Sequence, residues 1–559
     1  MVFRRGLLSA GRFPILAILS AVVCTLPAFS QTQDNNSCAG CHDQGQKLRA
    51  SAHASVGCTT CHLNHDASYP HPAGVPKPAC SRCHPAQVGE HAQSVHGLAL
   101  KRGNAAAPDC AVCHGSAHEL VSTHTETFRK KVPETCGMCH TEISQQFLSS
   151  VHGKALERGV AQAPVCTDCH GEHSIQAPTN RASLVNPSNV PETCARCHGN
   201  VRLTSRFGMP ADRVVSFEAS YHGLASAAGS QTVANCASCH GVHNILASSD
   251  PQSTINPKNL PRTCGRCHPG AGTRYALGPV HLWAGRTEPV SVRLVRQTYL
   301  VLIPLVIGLM LLHNLGDWIR KFRKLRWSAT PQPEQLHGTS HQPLRVLPFE
   351  RVLHGLLLVS FVVLAWTGFQ LKYPEQWWAK PMLRWEARWS VRGMVHRSAA
   401  VVFILTAMLH LVSLIVNPQL RRHWKNLWPR YTDLAEAWQS FTYNLGLSSR
   451  KPCLSPYSFM EKAEYWALVW GGVVMGFSGL VLWADNLTLR LFPKEVLDFA
   501  TAVHFYEAVL ACLAIVVWHF YLVIFDPDVY PLDTSFLNGK GVREHGPAPA
   551  PDVPRASRW

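Results

Sequence analysis

The sequence predicts a loop-rich, mainly α-helical N-terminal domain followed by an all-α transmembrane helix bundle of five spans, four of which form one compact bundle. Three observations carry this prediction. A Cys-x-x-Cys-His motif occurs nine times in the first 270 residues, and Pro, Gly, Ser and Asn cluster between the motifs, as in loops and short helices. Five apolar stretches of membrane-spanning length follow. At 559 residues the chain is long enough for both domains.

The expected domain boundaries follow these changes in composition. A basic start, an apolar centre and a candidate cleavage site at Ala28-Phe29-Ser30 are typical of a secretory signal peptide, with an uncleaved anchor as the alternative. The predicted segments are a signal peptide (1–30), a motif-bearing domain (31–285), a joining span with a basic loop (290–345), a membrane domain (346–530) and a disordered cytoplasmic tail (531–559).

The formal net charge of +17 does not indicate a nucleic-acid partner. Lys and Arg are scattered or flank apolar runs, where the positive-inside rule expects them on the cytoplasmic side. The basic runs at 320–326 and 421–430 are therefore predicted cytoplasmic loops. We expect a multi-pass protein of the bacterial inner membrane with its N-terminal domain in the periplasm.

The nine motifs carry the chemistry of covalent haem attachment. In such a motif the two thiols form thioethers with the haem vinyl groups, and the adjacent imidazole is the proximal iron ligand. Paired cysteines also bind zinc or form disulfides, but nine copies that all end in His favour nine c-type haems. The motif cysteines are Cys38, Cys41, Cys58, Cys61, Cys80, Cys83, Cys110, Cys113, Cys136, Cys139, Cys166, Cys169, Cys194, Cys197, Cys236, Cys239, Cys264 and Cys267. The predicted proximal ligands are His42, His62, His84, His114, His140, His170, His198, His240 and His268.

A second set of nine histidines matches the motifs in number. Four follow a motif within a few residues, and five lie in separate contexts such as Ser-Val-His-Gly; the two contexts alternate as a repeat of a two-haem unit. These predicted distal ligands are His65, His118, His173 and His243, and His53, His96, His152, His222 and His281. A histidine three or four residues past its own proximal ligand cannot easily reach the opposite haem face, so we expect it to ligate a neighbouring haem. The alternative is that one or two are surface residues, which would leave five-coordinate iron for substrate chemistry such as nitrite reduction.

Five membrane spans are predicted at 297–316, 350–371, 394–416, 464–484 and 503–525. Histidines inside spans are costly unless they serve as ligands or relays. His396 and His410 are 14 residues apart on one predicted helix, and His504 and His519 are 15 apart on another. Both spacings place two imidazoles near opposite leaflets on roughly one helix face, which suits two b-type haems. His313, on the first span, is the candidate for a third.

Four segments carry a family resemblance: ERVLHGLLLVSFVVLAWTGFQL, MVHRSAAVVFILTAMLH, EKAEYWALVWGGVVMGFSGLVLW and VHFYEAVLACLAIVVWHFYLVIF. They resemble the helices of the dihaem cytochrome b subunits of formate dehydrogenase and nickel–iron hydrogenase. The resemblance implies an outer haem b on His396 and His504 and an inner one on His354 and His519, with His410 as the competitor of His354.

The same resemblance implies a quinone pocket near the inner haem, at the start of the third of these four helices. The sequence there, Tyr-Ser-Phe-Met-Glu-Lys at 457–462, keeps the Tyr and Lys of that family but lacks its usual Asn and Gly. The candidate catalytic residues for quinol proton transfer are Ser458, Glu461 and Lys462. A charged helix start that faces water is the alternative for Glu461 and Lys462.

Nine c-type motifs fused before such a bundle resemble the CbcL-type c/b cytochromes of metal-reducing bacteria. That resemblance implies a menaquinol oxidoreductase that uses nine haem c, two haem b and menaquinone, and that passes electrons to periplasmic c-type cytochromes in extracellular or metal respiration. The expected partners are the quinone pool, these cytochromes and the lipid bilayer. Two alternatives remain: an electron-conduit subunit of a larger respiratory complex, and a haem-site reductase.

Overall fold

The computed structural model describes residues 34–63, 70, 77–210, 212–272, 280–281, 288–327, 346–450, 452, 455 and 457–539. Within these residues every regular element is helical, and the fold class predicted from the sequence is confirmed. The predicted signal peptide, His65 and residues 540–559 of the predicted tail lie outside the described residues. The chain divides into two compact units, residues 1–135 and 136–559, so the second unit contains five of the motifs as well as the membrane bundle.

Short helices joined by loops make up the motif-bearing region. They are α1 (Asp34–Ala39), α2 (Gln44–Arg49), α3 (Cys58–Cys61), a 3₁₀ turn (Cys80–Arg82), α4 (Pro85–Gln93), α5 (Val95–Lys101), α6 (Cys110–His114), α7 (Glu126–Gly137), α8 (Thr141–Ser149), α9 (Val151–Glu157), α10 (Cys166–His170), α11 (Val190–His198), α12 (Val201–Arg206), α13 (Arg213–Ala219), α14 (Tyr221–Ala227), α15 (Cys236–His240) and α16 (Leu260–Gly265).

Serine caps explain the recurring Ser-x-His-Gly sequence. Ser94, Ser150 and Ser220 each precede a short helix (α5, α9 and α14), and each hydroxyl accepts a hydrogen bond from the backbone N–H of the glycine three residues later, at 3.1–3.2 Å. A Cβ added to any of these glycines would overlap a backbone carbonyl at the end of the preceding helix. The histidine between cap and glycine is thereby held at one fixed position beside the helix–helix contact.

The two-haem repeat is also visible as a duplicated loop structure. In α11 the Thr193 hydroxyl donates to the carbonyl of Leu184 in the preceding loop at 2.7 Å, and in α16 the Thr263 hydroxyl donates to the carbonyl of Thr254 in the same way at 2.7 Å. The Asn189 and Asn259 amides bond to loop carbonyls six and eight residues earlier in the same way. The sequence repeat therefore encodes one loop that is used twice.

Polar side chains hold much of this region together. The fully buried residues there are mostly small and polar, among them Ser94, Ser150, Ser183, Ser253 and Asn186, whereas few large apolar side chains are buried. A region with so little apolar core needs another source of buried surface. The close spacing of the motifs predicts that attached haems supply it.

Among the described residues, five long apolar helices form the membrane region, as predicted. The spans are Val290–Lys324, Pro348–Lys372, Val391–Val416, Phe459–Trp483 and Glu495–Phe525. They belong to α17 (Val290–Trp327), α18 (Pro348–Lys372), α20 (Val391–Val416), α23 (Phe459–Trp483) and α25 (Glu495–Ala514), the last continuing in π-helical turns Ile515–His519 and Tyr521–Phe525. Shorter helices lie between and after them: α19 (Lys380–Trp389), α21 (Pro418–Trp424), a 3₁₀ turn (Lys425–Leu427), α22 (Tyr431–Asn444), α24 (Asp485–Leu491) and α26 (Ser535–Asn538).

The spans of the membrane region pack against one another in pairs, and this packing sets the positions of their histidines. α18 packs against α20, α23 packs against α25, and the joining helix α17 packs on α25. α26 lies against α18, where the Arg351 guanidinium donates to the carbonyl of Leu537 at 2.6 Å. His519 lies in a π-helical turn, a local widening that is frequent at functional sites.

Candidate haem-binding sites

Pairs of histidine rings at a nearly constant separation mark the sites in the motif-bearing region. A metal–imidazole bond of about 2 Å on each side, with roughly 1.2 Å from nitrogen to ring centre, places two axial ligands about 6.4 Å apart. Six pairs of ring centroids among the described residues are 6.0–6.3 Å apart: His53–His84, His62–His118, His152–His198, His170–His243, His222–His268 and His240–His281. Each pair joins a motif histidine to a predicted distal ligand, and each fits the two sides of one iron.

The distal histidine of each pair comes from outside the motif that it serves. His118 follows the motif at Cys110 but faces His62, and His243 follows the eighth motif but faces His170, in each case two motifs earlier. This register supports the expectation that a histidine close behind a motif reaches a neighbouring haem.

A positive-φ glycine explains how the chain leaves these motifs. α6, α10 and α15 each consist of one motif and end at Gly115, Gly171 and Gly241, with φ values of 84°, 86° and 86°. Only glycine adopts this backbone conformation without strain. The chain therefore turns directly after the proximal histidine.

Burial favours the neutral imidazole that metal ligation requires. Desolvation, with a smaller contribution from nearby His198, lowers the pKa of His152 to about 4. Burial also lowers the pKa of His170, His222 and His240. Iron ligation by the paired histidines stays a prediction, as it does for His42, His96, His114, His140 and His173.

Cysteines of consecutive motifs lie close together. The first thiols of the fifth and sixth motifs, Cys136 and Cys166, are hydrogen-bonded to one another, and so are Cys194 and Cys236 of the seventh and eighth. Cys239 is the second cysteine of the eighth motif. Burial raises its pKa to about 11, with smaller contributions from nearby thiols, among them Cys264 and Cys267 of the ninth motif. Attachment points of successive haems are thus neighbours, as electron hopping requires.

Two further histidine pairs lie between the membrane helices. The outer pair is His396 of α20 and His504 of α25, and the inner pair is His354 of α18 and His519; both pairs have ring centroids 6.4 Å apart. The separation again fits two axial ligands of one iron. These are the pairs that the family resemblance implies.

Hydroxyl groups fix the orientation of the outer pair. The Thr367 hydroxyl donates to the carbonyl of Val363 at 2.6 Å, so its oxygen accepts from Nδ1 of His396 at 2.8 Å. The Ser478 hydroxyl likewise donates to its own helix at 2.7 Å and accepts from Nδ1 of His504 at 3.0 Å. Because both Nδ1 atoms carry the proton, both Nε2 atoms are left as lone-pair donors for iron.

The inner pair has a charged partner instead. Oε1 of Glu464 on α23 lies 3.3 Å from Nδ1 of His519 and accepts a hydrogen bond from it. His410, the competitor of His354, is engaged elsewhere: its Nε2 contacts the Tyr465 hydroxyl at 2.9 Å. The geometry therefore favours His354 as the ligand opposite His519.

His313, the candidate for a third haem b, lies in a polar contact of α17. Its Nε2 contacts the Asn444 amide at 3.2 Å, and its Nδ1 lies 3.4 Å from the Asn314 amide oxygen. The ring is only 6% exposed and packs on Trp518. Both ring nitrogens thus have protein partners, which favours a structural role.

The three candidate quinol residues lie at the start of α23. Ser458 and Glu461 form a capping box, in which the Glu461 carboxylate accepts from the Ser458 backbone N–H at 2.9 Å. Lys462 is buried and forms an ion pair with Asp433 of α22 at 2.6 Å. A role in proton transfer stays a prediction for all three.

A polar chain beside these residues was not predicted from the sequence. Nδ1 of His423 on α21 lies 2.9 Å from Oε1 of Glu350 on α18, and its Nε2 contacts the Tyr457 hydroxyl. The hydrogen bond to Glu350 raises the pKa of His423, and burial opposes this effect. Glu350 is one helical turn before His354, so the chain runs beside the inner pair. Three separate segments contribute to it, and helical periodicity does not reveal such a contact.

Comparison with known proteins also distinguishes the membrane region from the motif-bearing region. Residues 345–531 match the family model of prokaryotic cytochrome b561. The matched residues contain both membrane histidine pairs. In the N-terminal region, 143 residues are 28% identical to the cytochrome c-type protein NrfB of Escherichia coli O6:H1, which covers 22% of this chain and 74% of that protein. No solved structure matches the chain. Both findings agree with a c-type region fused to a b-type membrane region, and both support an electron-transfer cytochrome.

Proposed function

We propose that the protein is an inner-membrane menaquinol oxidoreductase that passes electrons from the quinone pool to nine c-type haems and on to periplasmic cytochromes, in extracellular or metal respiration. The cytochrome b561 match and the c-type similarity support transmembrane electron transfer, the general part of this proposal. When bound, the haems supply one-electron chemistry. The chain supplies their ligands, their spacing and the groups that orient the ligands.

The junction between the last motif and the bundle is the observation that carries the proposal. Asp485 Oδ2 lies 3.4 Å from Nδ1 of His268, and a Cβ added to Gly270 would overlap the carbonyl oxygen of Asn486. Asp485 begins the helix that follows α23, and Ser478, near that end of α23, contacts the outer pair. The ninth motif is therefore packed on the end of the bundle that holds the outer pair, which supports electron passage between the two regions.

The chain formed by Glu350, His423 and Tyr457 is the proposed route for quinol protons. It lies at the opposite end of the bundle, beside the inner pair, where the basic segments also lie. A hydrogen-bonded carboxylate, imidazole and phenol can accept and relay protons at near-neutral pH. Lys462 forms a second polar contact at that end, with Asp433, and it stays a candidate for quinol proton transfer together with Ser458 and Glu461.

The decisive experiment uses the purified full-length protein and a menaquinol analogue. The proposal expects reduction of b-type and then c-type absorbance without added subunits. Glu350→Gln is expected to slow this reduction at least tenfold while the dithionite-reduced spectrum stays unchanged; Glu375→Gln, in the loop after α18, is the matched control with no effect. No reduction unless further subunits are added would overturn the oxidoreductase and favour the conduit subunit.

A further inference from the structure

The two membrane pairs differ in the groups that accept hydrogen bonds from their Nδ1 atoms. Both ligands of the outer pair donate to neutral hydroxyl oxygens, those of Thr367 and Ser478. His519 of the inner pair donates to a carboxylate oxygen of Glu464 at 3.3 Å. A hydrogen bond to an ionised acceptor is roughly twice as strong as one between neutral groups.

Glu464 presents its carboxylate to His519 from the neighbouring helix α23. It lies in the second turn of α23, and its side chain is 27% exposed. Lys462, two residues earlier, is bound to Asp433 instead. The carboxylate is therefore available to His519.

We propose that Glu464 is a positioning residue that makes His519 the stronger electron donor to iron and so holds the inner haem at a lower midpoint potential than the outer haem. Hydrogen bonding behind an axial ligand raises the ligand's basicity and is one of the means by which a protein tunes its metal. A more basic ligand stabilises ferric over ferrous iron. The hydroxyl partners of the outer pair give a weaker effect of the same kind.

A direction for electron flow follows from this asymmetry. Electrons move spontaneously from the lower-potential inner haem to the higher-potential outer haem, which lies at the end of the bundle that contacts the ninth motif. This inference rests on the proposed pair of b-type haems, and it needs neither menaquinol nor the acceptor.

Spectroelectrochemistry of the purified full-length protein, without quinol, tests the role of Glu464. The wild-type protein should show two b-type components, of which the lower-potential one disappears in His354→Ala. Glu464→Gln should raise the midpoint potential of that component by about 59 mV, which corresponds to a tenfold change in its one-electron reduction equilibrium constant. Thr367→Val, the control at the outer pair, should leave the inner component unchanged.

Several outcomes would decide against the inference. An unchanged inner component in Glu464→Gln would overturn it, as would a shift confined to the component that disappears in His396→Ala. Where Glu464→Gln fails to retain the inner haem, Glu464→Asp keeps the charge on a shorter side chain, and a potential equal to the wild-type value despite a weakened contact would also overturn it. Absence of two b-type components from the wild-type protein would instead count against the proposed cofactor content.

Discussion

The motif-bearing region and the membrane bundle position the same side chain, histidine, by different means. In the motif-bearing region local sequence positions many of the imidazoles: serine caps precede His96, His152 and His222, and glycine turns follow His114, His170 and His240. In the bundle the ligands come from separate helices, and side chains such as Thr367 and Glu464 on neighbouring helices orient them. The c-type haems are also held by two thioether bonds, whereas a b-type haem depends on its ligands and pocket alone. Loss of a ligand should therefore have different consequences in the two regions.

The largest expected effect is in the bundle. His354→Ala should remove the inner haem entirely, because no covalent bond retains it, and the pyridine haemochrome ratio should change from nine c and two b to nine c and one b. His410→Ala is the matched control, since its imidazole contacts Tyr465 rather than His519. If His410→Ala loses a haem while His354→Ala retains both, the assignment of the inner pair is wrong.

A ligand change in the motif-bearing region should leave the haem count intact. His152→Ala removes the ring opposite His198, but the thioethers at Cys194 and Cys197 keep the haem attached. We expect about one ninth of the c-type signal to become high-spin in electron paramagnetic resonance, with nine haems still counted. His91→Ala is the control, because that imidazole contacts the carbonyl of Pro108 at 3.2 Å. A wholly low-spin spectrum in His152→Ala would contradict the pairing.

This contrast also decides what could be predicted from sequence. The nine motifs, the alternating histidine contexts and the five spans are encoded locally, and the helical architecture and the spans were predicted correctly from them. In the motif-bearing region the partner of each histidine was not predictable, because His62 and His118 meet across two intervening motifs. Glu464, Thr367 and Ser478 were missed for the same reason: only the packing of whole helices brings them to a ligand.

A smaller effect is expected from the helix contact beside His152. In Gly153→Ala the added methyl group would overlap the carbonyl of Phe147 at the end of α8. Overpacking of this kind costs about 1–3 kcal/mol, and we expect a lower thermal unfolding midpoint for the c-type absorbance. Gly89→Ala, in the middle of α4, is the matched control: nothing lies within 4 Å of its added Cβ, so its midpoint should be unchanged or higher. Equal decreases of the midpoint in both variants would show that the helix contact does not explain the glycine at position 153.

The smallest expected effect comes from the cap that precedes the same histidine. Ser150→Ala removes the hydroxyl that accepts from the backbone N–H of Gly153 at 3.1 Å, and loss of such a cap costs about 1 kcal/mol. Ser149→Ala is an adjacent control, since that hydroxyl is exposed and donates only to the carbonyl of Gln146 within its own helix. The thermal midpoint should fall in Ser150→Ala and stay unchanged in Ser149→Ala, with low-spin c-type spectra in both. A high-spin signal in Ser150→Ala would mean that the cap also sets the distance from the ligand to iron. Ligand geometry in this region would then depend on local sequence as strictly as it depends on helix packing in the bundle.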